Sequence, residues 1–504
     1  MPEPPTPTPG VLNVWISPNL PDELRRPVED ISRIVGRAVG IVSDQSNAHI
    51  KVEENALVTK SNWIYALVAP FPTKLDSVSL EDLRTIWQGG SDSAFDLLVT
   101  SESVPLIEIT LGAVSETNVT VLGSGQLLEA AWAGQNIFAI IPFEELEPRW
   151  KVLAIDGVSP IRKDLIADVY PLSVSFGFSG EGSVFESFVN LIFWPVSNRD
   201  PQKLTVVVMT GVTALTRATA WTMATKGIEY PAEKIGNWLS EADITHISNE
   251  VSFLETCPPP NPVREGFEFC SDPENIRLLE LIGVDVVELT GNHIKDYGEE
   301  ALLFSLDLYD GLNWQYFGGG ADLEDALRPA IFEHNGNRIA FIGCNSAGPP
   351  AVWAKEASPG ALPCDIEQLS AKVSELHASG YLPIFTFQWN EYYQPKPSTS
   401  QRRDFRAVAA AGAVIVSGSQ AHQPQAFEFY ENGFIHYGLG NLFFDQMWSI
   451  ATRQEFIDRH VFYDGKHIST EILTAFLEDF AQPRPMTDEE RSFFLDNIFT
   501  ASGW

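Results

Sequence analysis

The sequence predicts an α/β protein made of two α/β regions in tandem. Three observations carry that reading. Short apolar runs alternate with helical stretches along most of the chain. A polar segment containing two prolines, Pro195 to Gln202, interrupts the alternation. Beyond it, five apolar runs each end in a small, polar or glycine-containing turn, the pattern of a sheet flanked by helices with its site at the strand ends.

From the N-terminus, residues 1–10 (MPEPPTPTPG) read as a Pro/Thr-rich extended tether. Residues 11–195 form the first region. Apolar runs at Val11 to Ile16, Trp63 to Ala69, Phe95 to Val99, Ile137 to Ile141 and Lys151 to Ile155 predict strands, and Ser79 to Trp87 and Gln126 to Ala133 predict helices. The segments YALVAPFPTKLDSVSLEDLRTIWQG (65–89) and IFAIIPFEELEPRWKVLAIDGVSP (137–160) resemble the hinge, following helix and return strand of phosphate-type periplasmic solute-binding proteins. That resemblance implies a small anionic ligand held between two lobes by helix N-termini, with Ser17 and Ser124, inside Gly123-Ser124-Gly125, as candidate binding turns. Ordinary Ser and Gly caps are the competing reading of both.

The second region spans residues 203–504. Strands are predicted at Leu204 to Thr210, Val284 to Thr290, Ile339 to Cys344, Pro383 to Gln388 and Val414 to Ser417. Helices are predicted between them, at Ala232 to Glu241, Pro273 to Ile282, Gly298 to Tyr309, Ile366 to His377 and Gln401 to Ala411. An amphipathic segment, Ile472 to Phe480, and a last short helix close the chain.

Charge narrows the partners. There are 67 Asp and Glu against 33 Lys and Arg, a formal net charge of −34. Residues 1–200 hold 26 acids and 13 bases, so both regions share the excess. A field of that sign repels nucleic-acid phosphates and anionic lipid headgroups. No stretch approaches the roughly 20 apolar residues needed to span a bilayer. No charged-then-apolar leader opens the sequence.

The four cysteines fall into two local pairs across turn-rich loops, Cys257 with Cys270 and Cys344 with Cys364, and are expected to form two disulfides. Such bridges place a protein outside the cytoplasm. We therefore expect an exported, cell-surface protein, tethered by an anchor outside this sequence.

Eight of the nine histidines lie beyond residue 201, and His293 and His422 follow apolar strands directly. Asp, Asn and His gathered from several strand-end loops are what a binuclear metal centre requires. The segments LTGNHIKDYG (289–298), GGGADLEDALR (318–328), QWNEYYQPKPSTSQ (388–401), GSQAHQP (418–424) and IHYGLGNLFFD (435–445) appear in order. Together they resemble the CapA family of bacterial capsule-synthesis (poly-γ-glutamate capsule) proteins, which implies the α/β sandwich of the calcineurin-like metallophosphatases.

The same resemblance exposes departures. GVTALTR (211–217) is similar to the family's G-D-I-M-L-G-R, yet Val212 stands where the metal-binding Asp belongs. Gln388 replaces a His, Tyr392 a Glu, and Gln420 another His. Amide oxygens bind transition metals far more weakly than imidazole or carboxylate. The resemblance leaves Glu250, one place early in its motif, Asn292, His293 and His422 as candidate metal ligands and Asp296 to orient His293, with structural histidines that hydrogen-bond the strand-end turns as the competing reading of His293 and His422. Arg217 is left as an anion-binding or catalytic cation. Asn441 is a residue of the pocket wall and ligand site.

Three functions stay open. The first is a cell-surface protein of capsule or envelope polymer biosynthesis, working with the polymer machinery through a degenerate site and no metal. The second is a hydrolase of the metallophosphatase type with one divalent Mn, Zn or Fe, using His293, Asp296 and Arg217. The third is an anion-binding or sensing module built on the N-terminal region.

Overall fold

The structure is a computed structural model and describes residues 11–90, 95–263 and 266–504. The tether expected over residues 1–10 lies outside the described residues. The chain divides into two compact units, Met1–Pro201 and Gln202–Trp504.

The first unit is a mixed sheet with helices packed on it. Its strands run in the order Val39–Val42, Leu12–Ile16, Ile50–Glu54, Ser173–Ser179, Val58–Pro70, Ile137–Pro142, Asp96–Thr100 and Val119–Leu122, with Trp150–Val152 joined to the side of Val58–Pro70. Residues 63–69 of Val58–Pro70 are buried on both faces, which is why the sequence there is an unbroken apolar run. The helix Leu80–Trp87 starts where Ser79 accepts a hydrogen bond from the Asp82 amide at 3.0 Å. The sequence reading missed Asp22–Ile34, a helix that buries only Leu24 and Val28 and carries Pro27. Leu24, Val28 and Ile31 recur at helical spacing there, but Pro27 sits inside the pattern and reads as a helix breaker.

The second unit stacks two sheets. One has the order Gln315–Phe317, Val286–Glu288, Ile244–Asn249, Leu204–Thr210, Gln454–Tyr463, Lys466–Glu478 and Gln482–Pro485. The other runs Ala330–His334, Asn337–Asn345, Leu382–Gln388, Ile415–Ser419, Gly433–His436 and Phe427–Tyr430. Their inner faces meet, with the His246 ring stacked on Phe341 at 6.2 Å and Phe456 set edge-on against Phe427 at 5.3 Å. Helices cover the outer faces, and one apolar core fills each outer layer. The protein is thus α/β throughout, with a sandwich in its C-terminal unit.

Several elements of this unit differ from the sequence reading, which lacked the helix Arg217–Lys226 and the strand Ile244–Asn249. The helix expected over Ala232 to Glu241 shrinks to Gly236–Ser240 after a single 3-10 turn at Tyr230–Ala232. The antiparallel pair Gln454–Tyr463 and Lys466–Glu478 was not foreseen, and it absorbs the amphipathic segment from Ile472. The last helix is not short but runs 15 residues, Asp488–Ser502, opened by a capping box between Thr487 and Glu490. It docks on the sandwich through Phe494, 4.6 Å from Phe456.

Candidate functional site

Parallel pairing sets the site. Leu204–Thr210, Ile244–Asn249 and Val286–Glu288 in one sheet, and Asn337–Asn345, Leu382–Gln388 and Ile415–Ser419 in the other, are parallel to their neighbours. Their C-terminal ends therefore emerge at one edge. Ser248 and Ser419, one from each sheet, touch there through their hydroxyls at 3.2 Å.

At this edge Gly211 lies against the backbone of Gly440, and a β-carbon on it would meet the Gly440 carbonyl oxygen at 2.2 Å. Only glycine permits that approach. It brings Val212 beside Asn441, bonded through Val212 N to Gly440 O at 3.0 Å, and buries the valine completely. Glu250 is fixed one residue beyond the Ile244–Asn249 strand by its amide bond to Thr213 O at 2.9 Å.

Gln388, the last residue of its strand, is the hub. Its Nε2 donates to Glu250 Oε1 at 3.0 Å and to Asn292 Oδ1 at 3.1 Å, and it also contacts Gln420 Oε1. Glu250, Gln388 and Gln420 are all buried. The second carboxylate oxygen of Glu250 has no hydrogen-bond partner among the described residues.

His293 and His422 flank this hub. His293 Nδ1 pairs with Asp296 Oδ2 at 2.7 Å, and its ring leans on Phe269 at 4.7 Å. Burial pushes the His293 pKa down, but the Asp296 hydrogen bond and the charges of Glu250 and Asp296 together outweigh it, so the net shift is upward. His422 Nδ1 bonds Asn441 Oδ1 at 3.0 Å, which leaves Nε2 facing Glu391 at 3.6 Å. Arg217, Gln420 and His422 all adopt positive φ, a costly backbone state for residues other than glycine and one that clusters at functional loops.

Arg217 is closed by its own chain. Its Nε donates to Asp445 Oδ2 at 3.2 Å and its Nη2 reaches Asp445 Oδ1, while Phe269 and Phe444 cover the guanidinium at 4.8 and 4.9 Å. An incoming phosphate or carboxylate would have to displace Asp445. Asn441 likewise spends its amide on the carbonyls of His422 and Thr452, and it is fully buried.

In the first unit, Ser17 Oγ donates to Glu54 Oε1 at 2.7 Å, so a carboxylate stands where an anion would need positive charge. Ser124 is exposed, at the end of the last strand on the opposite flank of the same sheet. The sequence reading gave no role to Glu391, Tyr393 or Trp448. Tyr393 and Trp448 meet edge-on at 6.4 Å, and burial, then the charges of Glu391 and Glu250, push the Tyr393 pKa up to about 12. Exposed aromatics beside an acid-bearing strand end were the available signal.

Both disulfides are formed, Cys257–Cys270 and Cys344–Cys364, with Cα separations of 5.9 and 5.1 Å. The first staples a proline-rich loop that walls a groove beside Arg217. Among the described residues no group of three or more His, Cys, Asp or Glu side chains is arranged to hold a metal ion, and no helix is long and apolar enough to cross a membrane.

Residues 206–446 match the family model described as bacterial capsule synthesis protein PGA_cap. The chain is 25% identical over 298 residues to the capsule biosynthesis protein CapA of Bacillus anthracis, covering 58% of this chain and 72% of that protein. It is 29% identical over 196 residues to the PGA biosynthesis protein CapA of Bacillus subtilis, covering 39% and 52%. Among solved structures, an ABC-type phosphate transport receptor from Vibrio cholerae aligns with 36% of this chain and 92% of its own, at 14% identity and a TM-score of 0.31. The NAD nucleotidase of Haemophilus influenzae aligns with 59% of this chain and 56% of its own, at 11% identity and a TM-score of 0.35.

Proposed function

We propose that this protein, whose residues 206–446 belong to the bacterial capsule synthesis protein family, is an exported accessory protein of capsule or envelope polymer biosynthesis, of the poly-glutamate type, whose metallophosphatase-like site has lost two-metal chemistry. One observation carries the second half of this reading. The side-chain nitrogen of Gln388 sits at the point where Glu250, Asn292 and Gln420 direct their oxygens. An N–H donor at the centre of a donor set repels a cation rather than binding it. Val212 offers no ligand atom on the facing strand. The donors present do not fit a pair of transition-metal ions.

Two disulfides support export, because reduced compartments rarely retain them. The capsule role rests on the family match and on relatives named for capsule and PGA biosynthesis. The polymer machinery is the proposed partner, at the cell surface.

A second reading, a hydrolase with a single metal, draws on the His293–Asp296 pair, since a histidine oriented by a carboxylate is the usual arrangement behind a metal ligand. Elemental analysis of the purified full chain beside a phosphoester screen separates the two. The proposed function expects substoichiometric Mn, Zn and Fe and no turnover. One tightly held ion per chain together with metal-dependent phosphoester cleavage overturns it in favour of the hydrolase.

A further inference from the structure

The oxygens around Gln388 outnumber the hydrogens that serve them. A carboxamide NH2 carries two hydrogens, yet Gln388 Nε2 faces Glu250 Oε1, Asn292 Oδ1 and Gln420 Oε1. One acceptor is always left over. Glu250, only 2% exposed, is the one charged member, and among the described residues no cation pairs with it: its Oε1 has the neutral amide, its Oε2 has no hydrogen-bond partner, and His293 feels its charge without bonding it. A buried carboxylate compensated so weakly is costly, and the natural remedy is a positively charged donor.

We propose that this cluster is a receptor for a primary ammonium group, which takes the place of the Gln388 nitrogen when that side chain swings aside. An –NH3+ group supplies three hydrogens for three oxygens and one positive charge for Glu250. The donor set favours it over a transition metal: one carboxylate and two neutral amide oxygens, with no imidazole or thiolate among them, suit a hydrogen-bond donor. The surroundings suit the remainder of such a ligand. Glu391 adds a second carboxylate near the site, and Tyr393, close enough to Glu250 and Glu391 to feel their charges, forms with Trp448 a partly exposed aromatic wall for an alkyl chain or for cation–π contact. This inference stands on the side-chain geometry and holds whether or not the protein serves a capsule polymer.

Calorimetric titration of the full chain with propylammonium chloride at pH 7, at ionic strength held constant with sodium chloride, tests it. Saturable binding is expected, unaffected by tetramethylammonium, which has no N–H to donate. Gln388→Ala empties the position and is expected to tighten binding about tenfold, and Glu250→Gln to weaken it at least about tenfold, the scale of one hydrogen bond to a charged group. Gln420→Ala removes a single acceptor and is expected to weaken binding too, so the test stands even if Gln388→Ala fails to fold. No binding by the wild-type chain, equal affinity in Glu250→Gln, or displacement of propylammonium by equimolar potassium or calcium would overturn the proposal.

Discussion

Acidification is expected to loosen the C-terminal unit through imidazoles buried between its sheets, and His467 provides the magnitude. Its Nε2 lies 2.9 Å from Thr470 Oγ1 and 3.1 Å from the Ser469 carbonyl oxygen, so Nε2 carries the proton, while Nδ1 has no partner. A second proton would place an N–H without an acceptor among the rings of Phe434 and Phe462, 5.3 Å from the His460 ring. Burial holds the His467 pKa down at about 3. In the unfolded chain the same group titrates near 6.5. The unfolded state therefore takes up the proton first as pH falls: there is no penalty above about pH 6.5, and the loss grows until the pH reaches the folded value. Linkage gives a loss of about 2 kcal/mol at pH 5 and about 3 kcal/mol at pH 4 from this one residue. His460, pushed well below its ordinary value by burial and then by the charges of His467, His436 and His246, adds to it in the same direction. The assay is urea unfolding of the full chain from pH 7 to pH 4, read by hydrogen exchange in the Lys466–Glu478 strand, for the wild type and His467→Gln. The variant is expected to be the less stable protein at pH 7, and its slope against pH to be shallower by about one proton, roughly 1.4 kcal/mol per pH unit below pH 6. Parallel slopes for the two proteins would refute the reasoning.

Three further outcomes follow from single contacts. Glu455 is fully buried with both carboxylate oxygens unpartnered, and burial raises its pKa well above the ordinary value, so stability is lost as pH rises through the carboxylate range and beyond. Glu455→Gln is expected to raise stability by on the order of 2 kcal/mol at pH 8 and less at pH 5, measured by urea midpoints. Gly211→Ala, with its β-carbon 2.2 Å from a backbone oxygen, is expected to cost about 3 kcal/mol or more and to appear as a lowered melting temperature or as insoluble protein. Replacing Cys257 and Cys270 together by serine opens a loop with a sequence separation of 13 and is expected to cost about 3 kcal/mol, with faster proteolysis near Val263 and Phe267, which are already exposed.

Much of the architecture was written locally. Leu204–Thr210, Asn337–Asn345 and Leu382–Gln388 could be placed from sequence because strands buried on both faces must be continuous apolar runs, and each ended where the chain turned polar. The cysteine pairs were legible because each closes a short turn-rich loop. His293 and His422 could be named because each follows an apolar strand, whereas Val212, Glu250, Gln388 and Gln420 came into view only through the resemblance to the CapA family. Tertiary structure alone decided what those side chains do to one another. That Gln388 occupies the centre of Glu250, Asn292 and Gln420 depends on strands 138, 96 and 32 residues away in sequence meeting at one edge. The buried Asp458, His460 and His467 were equally invisible, because Gln454–Tyr463 and Lys466–Glu478 carry polar residues at positions that look solvent-facing until a second sheet, with His436 paired to Asp458, covers them. Local pattern fixes which segments extend and where they turn, whereas the stacking of two sheets, a matter of long-range packing, determines which polar atoms end up facing one another without water.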